Sequence, residues 1–584
     1  MSDSFFENKR INKKLILVFP ALLMIFPIIA YFWFIKDFGV NILEGDDWST
    51  LKLIRNMYSG TLSFSELLAS YNGHRMLVPN ILFILDAKFF HYNTKLLMYG
   101  GWALLSIAFF SLFYIFHVQN KLTIWVTVPV SFLMFTFSQY EDTLFGFQIA
   151  WYIILACLAV MFLLLEQRGG SPYWFGLSIF FAIIASFSSF QGLLLWPAGF
   201  IYIIFNGYNI KQKILWVLFS IITIFIYFSG QGNLIESHNS LLFPVVHPIE
   251  SIEFFFVALG SIIPVSAFPL RLESNTIYII LFFIGLIFFL SGLLPLIVGI
   301  SLVKKNRKYI APLALIVFVF LYEASLILGR GMIGLSAATS SHYTIYTILF
   351  LVSTYTLSAM IYSHGDKNKK LLLLQLFIVI FQIISSNYFG VLEGAGHHQI
   401  KTNVARIVAN YDENIKNKRI LLTNIAVRQY IGDADYFGKD VAFLEKHRLS
   451  IFGSSELTHY LSEGFPHIKL PKEKLLPIPN SLSLYIHKNK QACTAWYVAS
   501  FVYNSRWDLQ LAFPLSSTKS LSEIVNWEIT SDGVRDIIAP YKGLLFDMKA
   551  IIEKNPITYD SVSSKERTCD LLLRKIRENA IDDS

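Results

Sequence analysis

Unbroken apolar runs dominate the first two thirds of the chain, in place of the two-residue alternation of half-buried strands or the narrow stripe of soluble helices. Roughly 20 apolar residues in a helix cross a hydrocarbon core of about 30 Å. Runs that fit lie near 14–36, 96–117, 122–139, 146–166, 172–188, 191–206, 212–230, 276–302, 309–329, 342–363 and 370–389, and predict about eleven spans. The first follows Lys9, Arg10, Lys13 and Lys14, as a signal peptide does, but it is too long for a signal core and lacks a small-residue cleavage site; it is expected to remain as an anchor. Residues 251–268 are read as re-entrant or interfacial. Residues 76–91, with Pro79, Asp86 and Lys88, are read as a helix lying against the outer surface.

Composition agrees with a polytopic protein. The 584 residues are 54% hydrophobic and 15% charged, against about 45–50% and about 25% in soluble domains, which excludes an ordinary soluble enzyme as well as a disordered or coiled-coil chain. Residues 1–389 hold 23 basic and 17 acidic side chains, and residues 390–584 hold 25 and 23. That break divides a membrane domain, 1–389, from a polar C-terminal domain, 390–584, expected to be α/β or α+β and large enough to bury a core. The tail carries no concentrated basic stripe, so no nucleic-acid partner is expected. Lys and Arg resist translocation. With the N-terminus inside, the inner segments carry 15 of the 23 basic residues of the membrane domain. An odd number of spans then puts the tail outside, in the periplasm of a Gram-negative cell, where Cys493 and Cys569 are candidates for a disulfide.

On that orientation the polar residues of the outer loops cluster. The long first loop holds Glu44-Gly45-Asp46-Asp47-Trp48 and then His74-Arg75-Met76-Leu77-Val78-Pro79. Adjacent carboxylates beyond a membrane helix suit proton abstraction, because low dielectric and a neighbouring like charge raise the pKa of one of them. Asp is also a favoured helix cap, and Asp-Trp-Ser-Thr reads as a helix start. Arg75 suits bidentate binding of a phosphate, or a role as an interfacial anchor. A second turn carries Glu141-Asp142 and then Gln148. Trp196, after Ser188-Ser189-Phe190-Gln191-Gly192, is either a sugar-stacking face or part of the aromatic belt. Glu323 lies inside an apolar helix, where a carboxylate is costly and marks a candidate site, the alternatives being a pair with Arg330 or a hydrogen bond to a neighbouring helix. Arg330 is flanked by glycines, and Ser340-Ser341-His342-Tyr343-Thr344 follows. The loop near 231–250 adds Glu236, His238 and His247 at spacings typical of a solvated loop. In the tail, Trp496, Tyr497, Tyr503 and Trp507 are candidate stacking surfaces, with core packing the commoner role for such residues. No metal-ligand cluster and no nucleotide-binding glycine loop is present in the sequence.

These features resemble polytopic glycosyltransferases of the GT-C class over roughly residues 14–389, most like bacterial and phage-borne enzymes that glucosylate O-antigen. The resemblance rests on Asp46-Asp47 in a long first outer loop, on His74-Arg75 with Pro79 following, and on an exported C-terminal domain. Local similarity extends over Glu141 to Gln148, Gly192 to Pro197, and Gly329 through Thr344. It implies a catalytic base at Asp46 or Asp47 and donor-phosphate binding by Arg75 and Arg330. Trp48, His74, Glu141, Gln148, Trp196, Glu323 and His342 are the further substrate-site candidates; the look-alikes commonly carry Arg where His342 stands. The implied donor is an undecaprenyl-phosphate-linked sugar, glucose in the closest look-alikes, and the acceptor an O-antigen repeat of lipopolysaccharide. A multi-pass place in the bacterial inner membrane is implied, with no cofactor and no metal. A donor-synthesising transferase and a donor flippase are candidate partners. Rival readings are a lipid or oligosaccharide flippase, an O-antigen polymerase using a diphosphate-linked donor, and a non-catalytic scaffold. A transporter often shows paired broken helices in two related halves, and the sequence has no visible symmetry of that kind.

Overall fold

In the computed structural model the first two thirds of the chain form long apolar helices. The structure describes residues 3–167, 171–229, 238–265, 274–363, 369–411 and 437–463, and the strand backbones 481–489, 492–504, 507–515 and 558–559. Among the described residues, eight helices are long and apolar enough to cross a membrane: 18–38, 94–119, 146–166, 210–228, 275–303, 307–333, 341–363 and 369–409. The protein is a multi-pass helical membrane protein.

The count differs from the eleven segments read from the sequence. The runs at 172–188 and 191–206 become the shorter helices Pro172–Ser186 and Leu195–Phe205, the second entered through a 3-10 turn at Phe190–Leu194. The run at 122–139 becomes Ile124–Met134, after which Thr136 caps a 3-10 turn through its side chain. An apolar run continues through such breaks because they are made by hydroxyl caps and turns, which hydropathy does not register. The segment read at 251–268 overlaps the helix Pro248–Gly260, which a turn follows, and its residues 266–268 lie outside the described residues. That helix crosses Ser274–Val303 with backbones in contact: a Cβ on Gly260 would meet the Leu281 carbonyl oxygen at 1.9 Å, and one on Gly285 would meet that of Phe256 at 1.9 Å.

The helix Thr344–Ser363 is the axis of the bundle, with every residue from Thr344 to Ile361 buried. It packs on Ile310–Arg330, Ser274–Val303 and Ile124–Met134. Its buried Ser353, Thr354, Thr356 and Ser358 donate to carbonyls one turn back, so they enter the apolar core satisfied. The peripheral Ile210–Phe228 buries only a helical stripe of Gln212, Trp216, Thr223 and Tyr227. Ile210, Ile214, Leu218, Ile221 and Phe225 are exposed, a face suited to lipid. In Leu77–Phe90, Ile81, Leu85, Phe89 and Phe90 face outward while Asp86 is buried.

Two compact units emerge: 1–41 with 50–398, and 42–49 with 399–584. The composition break at 389/390 falls inside one continuous helix, Lys369–Ala409. In the second unit, helices Phe437–His447 and Leu457–Glu463 precede a sheet of strands Ser481–Asn489, Ala492–Asn504, Trp507–Leu515 and Thr558–Tyr559. The first three form an antiparallel meander; Thr558–Tyr559 runs parallel to Ser481–Asn489. Cys569 and Glu236, and the side chains of Cys493, His238 and the tail aromatics, lie outside the described residues, so the expectations placed on them do too.

Candidate functional site

The acidic pair belongs to the second unit, where the chain turns sharply before the helix Asp47–Ser59. Gly45 takes φ 47, a conformation open to glycine. The Asp47 N–H then donates to the Glu44 carbonyl at 2.9 Å, and the Ser49 N–H to that of Asp46 at 3.1 Å. Asp47 starts the helix and is fully buried, at 0% exposure. Its Oδ2 accepts the Glu44 N–H at 3.3 Å. Burial first, and the Glu44 carboxylate second, push the Asp47 carboxyl well above the usual carboxylate range, with Lys401 partly opposing. Asp46 is half-buried, and Trp48 is buried. Lys401, which stands in none of the sequence motifs, is ion-paired through Nζ to the Glu44 carboxylate. At a distance of over 350 residues in sequence, with no spacing rule to link them, only the fold reveals this partner.

In the first unit, Glu141, His342, Arg330, Gln148 and Glu323 surround or adjoin an aromatic cluster. Glu141 sits on the one-turn helix Tyr140–Thr143. Its Oε2 accepts the Ser340 hydroxyl at 2.9 Å and the His342 N–H at 3.0 Å, and lies 3.4 Å from His342 Nδ1. Burial works against ionisation of Glu141, but contacts with His342, the charge of His397 and the Ser340 hydrogen bond hold its carboxyl at about 2. Next to it Asp142 is buried, and neither of its carboxylate oxygens has a hydrogen-bond partner among the described residues. Burial first and Glu141 second push the Asp142 carboxyl well up. The Trp151 ring packs on His342, Tyr343 and Tyr346. Arg330 is exposed at the end of Ile310–Arg330, beside Tyr343. Glu323 takes the hydrogen bond across helices, accepting from Thr347 Oγ1 at 2.6 Å. Gln148 is half-buried, with its side-chain oxygen unpartnered among the described residues. Ser340, Trp151, Tyr343 and His397 join this cluster beyond the candidates that the sequence offers, though the first three lie in or beside its motifs.

Three other candidates hold structural places. Arg75 is 7% exposed, and its guanidinium donates to the carbonyls of Tyr227 (2.5 Å), Leu68 (2.8 Å) and Ser229. It thereby closes the C-terminal end of Ile210–Phe228, where unsatisfied carbonyls attract a cation. His74 accepts the Phe190 N–H at 3.3 Å through Nδ1, which puts the proton of the neutral ring on Nε2, and Nδ1 lies 3.1 Å from the Ser189 hydroxyl. Trp196, read as stacking on a sugar or standing in the aromatic belt, is instead 2% exposed in the helix core; its indole N–H donates to Ser186 Oγ at 3.0 Å and its ring packs on Trp216.

No family model matches the chain, and neither a curated protein nor a solved structure matches it.

Proposed function

We propose that the protein is a membrane glycosyltransferase of GT-C type, with an exported C-terminal domain, that transfers a hexose from undecaprenyl phosphate to an O-antigen repeat at the periplasmic face of the inner membrane. The observation that carries this reading is the asymmetry of the tandem aspartates. Asp47 is fully enclosed and starts a helix, whereas Asp46 on the same turn keeps part of its side chain accessible. The sequence leaves the helix-starting and proton-accepting roles open to either aspartate, and this reading gives the first to the enclosed Asp47 and the second to Asp46. Asp46 takes the proton of an acceptor hydroxyl as that oxygen attacks the anomeric carbon. The bond from the anomeric carbon to the carrier's phosphate oxygen breaks, and undecaprenyl phosphate leaves with the electron pair. Such a leaving group requires no strong general acid, and a cation that meets its developing charge suffices. Of the two candidate arginines of the first unit, Arg330 is exposed at its helix end, whereas the guanidinium of Arg75 is engaged by backbone carbonyls.

The test compares the hexose content of O-antigen from cells carrying wild type, Asp46→Asn or Asp47→Asn at equal membrane abundance. Loss of a general base costs about 10²–10⁴-fold in rate, so Asp46→Asn is expected to abolish detectable addition while Asp47→Asn retains it. Persistent addition in Asp46→Asn would remove the base assignment. Unchanged O-antigen composition on deleting the gene would remove the reading itself.

A further inference from the structure

We propose that Lys401 is the positioning residue of the acidic loop, a role that rests on the transferase reading and deepens it. The Lys401 side chain is 2% exposed, and its ammonium is ion-paired to Glu44. Burying an ammonium is unfavourable unless a partner meets it, and here that partner stands just ahead of the tandem aspartates. Glu44 is joined to Asp47 in both directions: its N–H donates to Asp47 Oδ2 at 3.3 Å and its carbonyl accepts the Asp47 N–H at 2.9 Å. Asp46 lies on the turn between them, with its carbonyl accepting the Ser49 hydroxyl at 2.6 Å. The contacts therefore run from Lys401 through Glu44 to the turn that presents Asp46. Lys401 acts through Glu44, holding that turn in place from a helix remote in sequence.

The experiment uses the full chain in nanodiscs with Ser49→Cys as a reporter, since Ser49 is exposed on the same turn. Labelling of position 49 by an impermeant maleimide is read by peptide mass spectrometry, beside sugar transfer from the lipid-linked donor. Lys401→Met is expected to speed labelling at least tenfold and to lower kcat at least tenfold with the donor KM within twofold of the parent. Lys401→Arg is expected to restore both. If Lys401→Met fails to fold, Glu44→Gln, which keeps a hydrogen-bond acceptor but removes the charge, is expected to move labelling in the same direction. Unchanged labelling in every folded variant overturns the proposal, as does a change that Lys401→Arg does not reverse. Faster labelling in Lys401→Met, reversed by Lys401→Arg, with no transfer by the parent, would sustain the positioning role and remove the transferase reading.

Discussion

A carboxyl group that folding takes out of water keeps its proton, and Asp86 is such a group. It is 4% exposed, and burial pushes its carboxyl up to about 8. The helix that carries it is not among the candidate spans. Between about pH 4 and about pH 8 the folded chain holds a proton that the unfolded chain releases, so the contribution of Asp86 to stability is full below about pH 4 and declines as pH rises. The slope approaches 1.4 kcal/mol per pH unit, from about 1.36 kcal/mol per unit of pKa. Asp86→Asn is expected to flatten this dependence, measured as unfolding temperature against pH in detergent. Glu141 has the opposite sign: its lowered carboxyl contributes above the ordinary carboxylate range, and that contribution is lost as pH falls toward 2. For Arg75, whose donors close a helix end, Arg75→Ala is expected to destabilise the fold by about 2–4 kcal/mol, since several charge-assisted hydrogen bonds are lost, with donor KM unchanged in the molecules that fold. Arg330→Ala is expected to raise donor KM and leave the unfolding temperature near wild type. At this scale the sequence announces the acidic pair, because two carboxylates beyond an apolar run are conspicuous. It is silent on Lys401, and it does not show that Arg75 is spent on backbone.

The apolar runs find most of the long helices but not their limits. Polarity changes near residue 390, yet Lys369–Ala409 continues through Glu393, His397, His398 and Lys401, because a charged residue ends a membrane run without ending a helix. Helix breaks inside the bundle are hidden for the converse reason: Thr136 and the turn at Phe190–Leu194 interrupt backbone hydrogen bonding without lowering hydropathy much. Glycines are legible as residues but not as contacts. Gly260 and Gly285 bring two helices together with no room for a Cβ. Gly285→Leu is expected to cost at least about 3 kcal/mol, the upper part of the overpacking range, seen as a lowered unfolding temperature and poor recovery of folded protein. Gly176, where an added Cβ would meet nothing within 4 Å, provides the control, and Gly176→Ala is expected to be neutral or slightly stabilising through helix propensity.

For the whole molecule, the long apolar runs together with the composition point to a multi-pass helical protein, and the eight long apolar helices among the described residues agree. The sidedness expected from the placement of Lys and Arg is open to a direct check: an impermeant thiol reagent is expected to label Ser49→Cys in intact spheroplasts, and labelling only after lysis would reverse the topology. The enclosed helix Thr344–Ser363 bears on biogenesis. A segment buried from Thr344 to Ile361, with buried hydroxyls along its length, is packed in the folded molecule by neighbouring helices in place of lipid. Ile310–Arg330 and Ser274–Val303 precede it in the chain and are already made when it emerges, so its seating is a step of assembly in which neighbouring helices serve as the solvent.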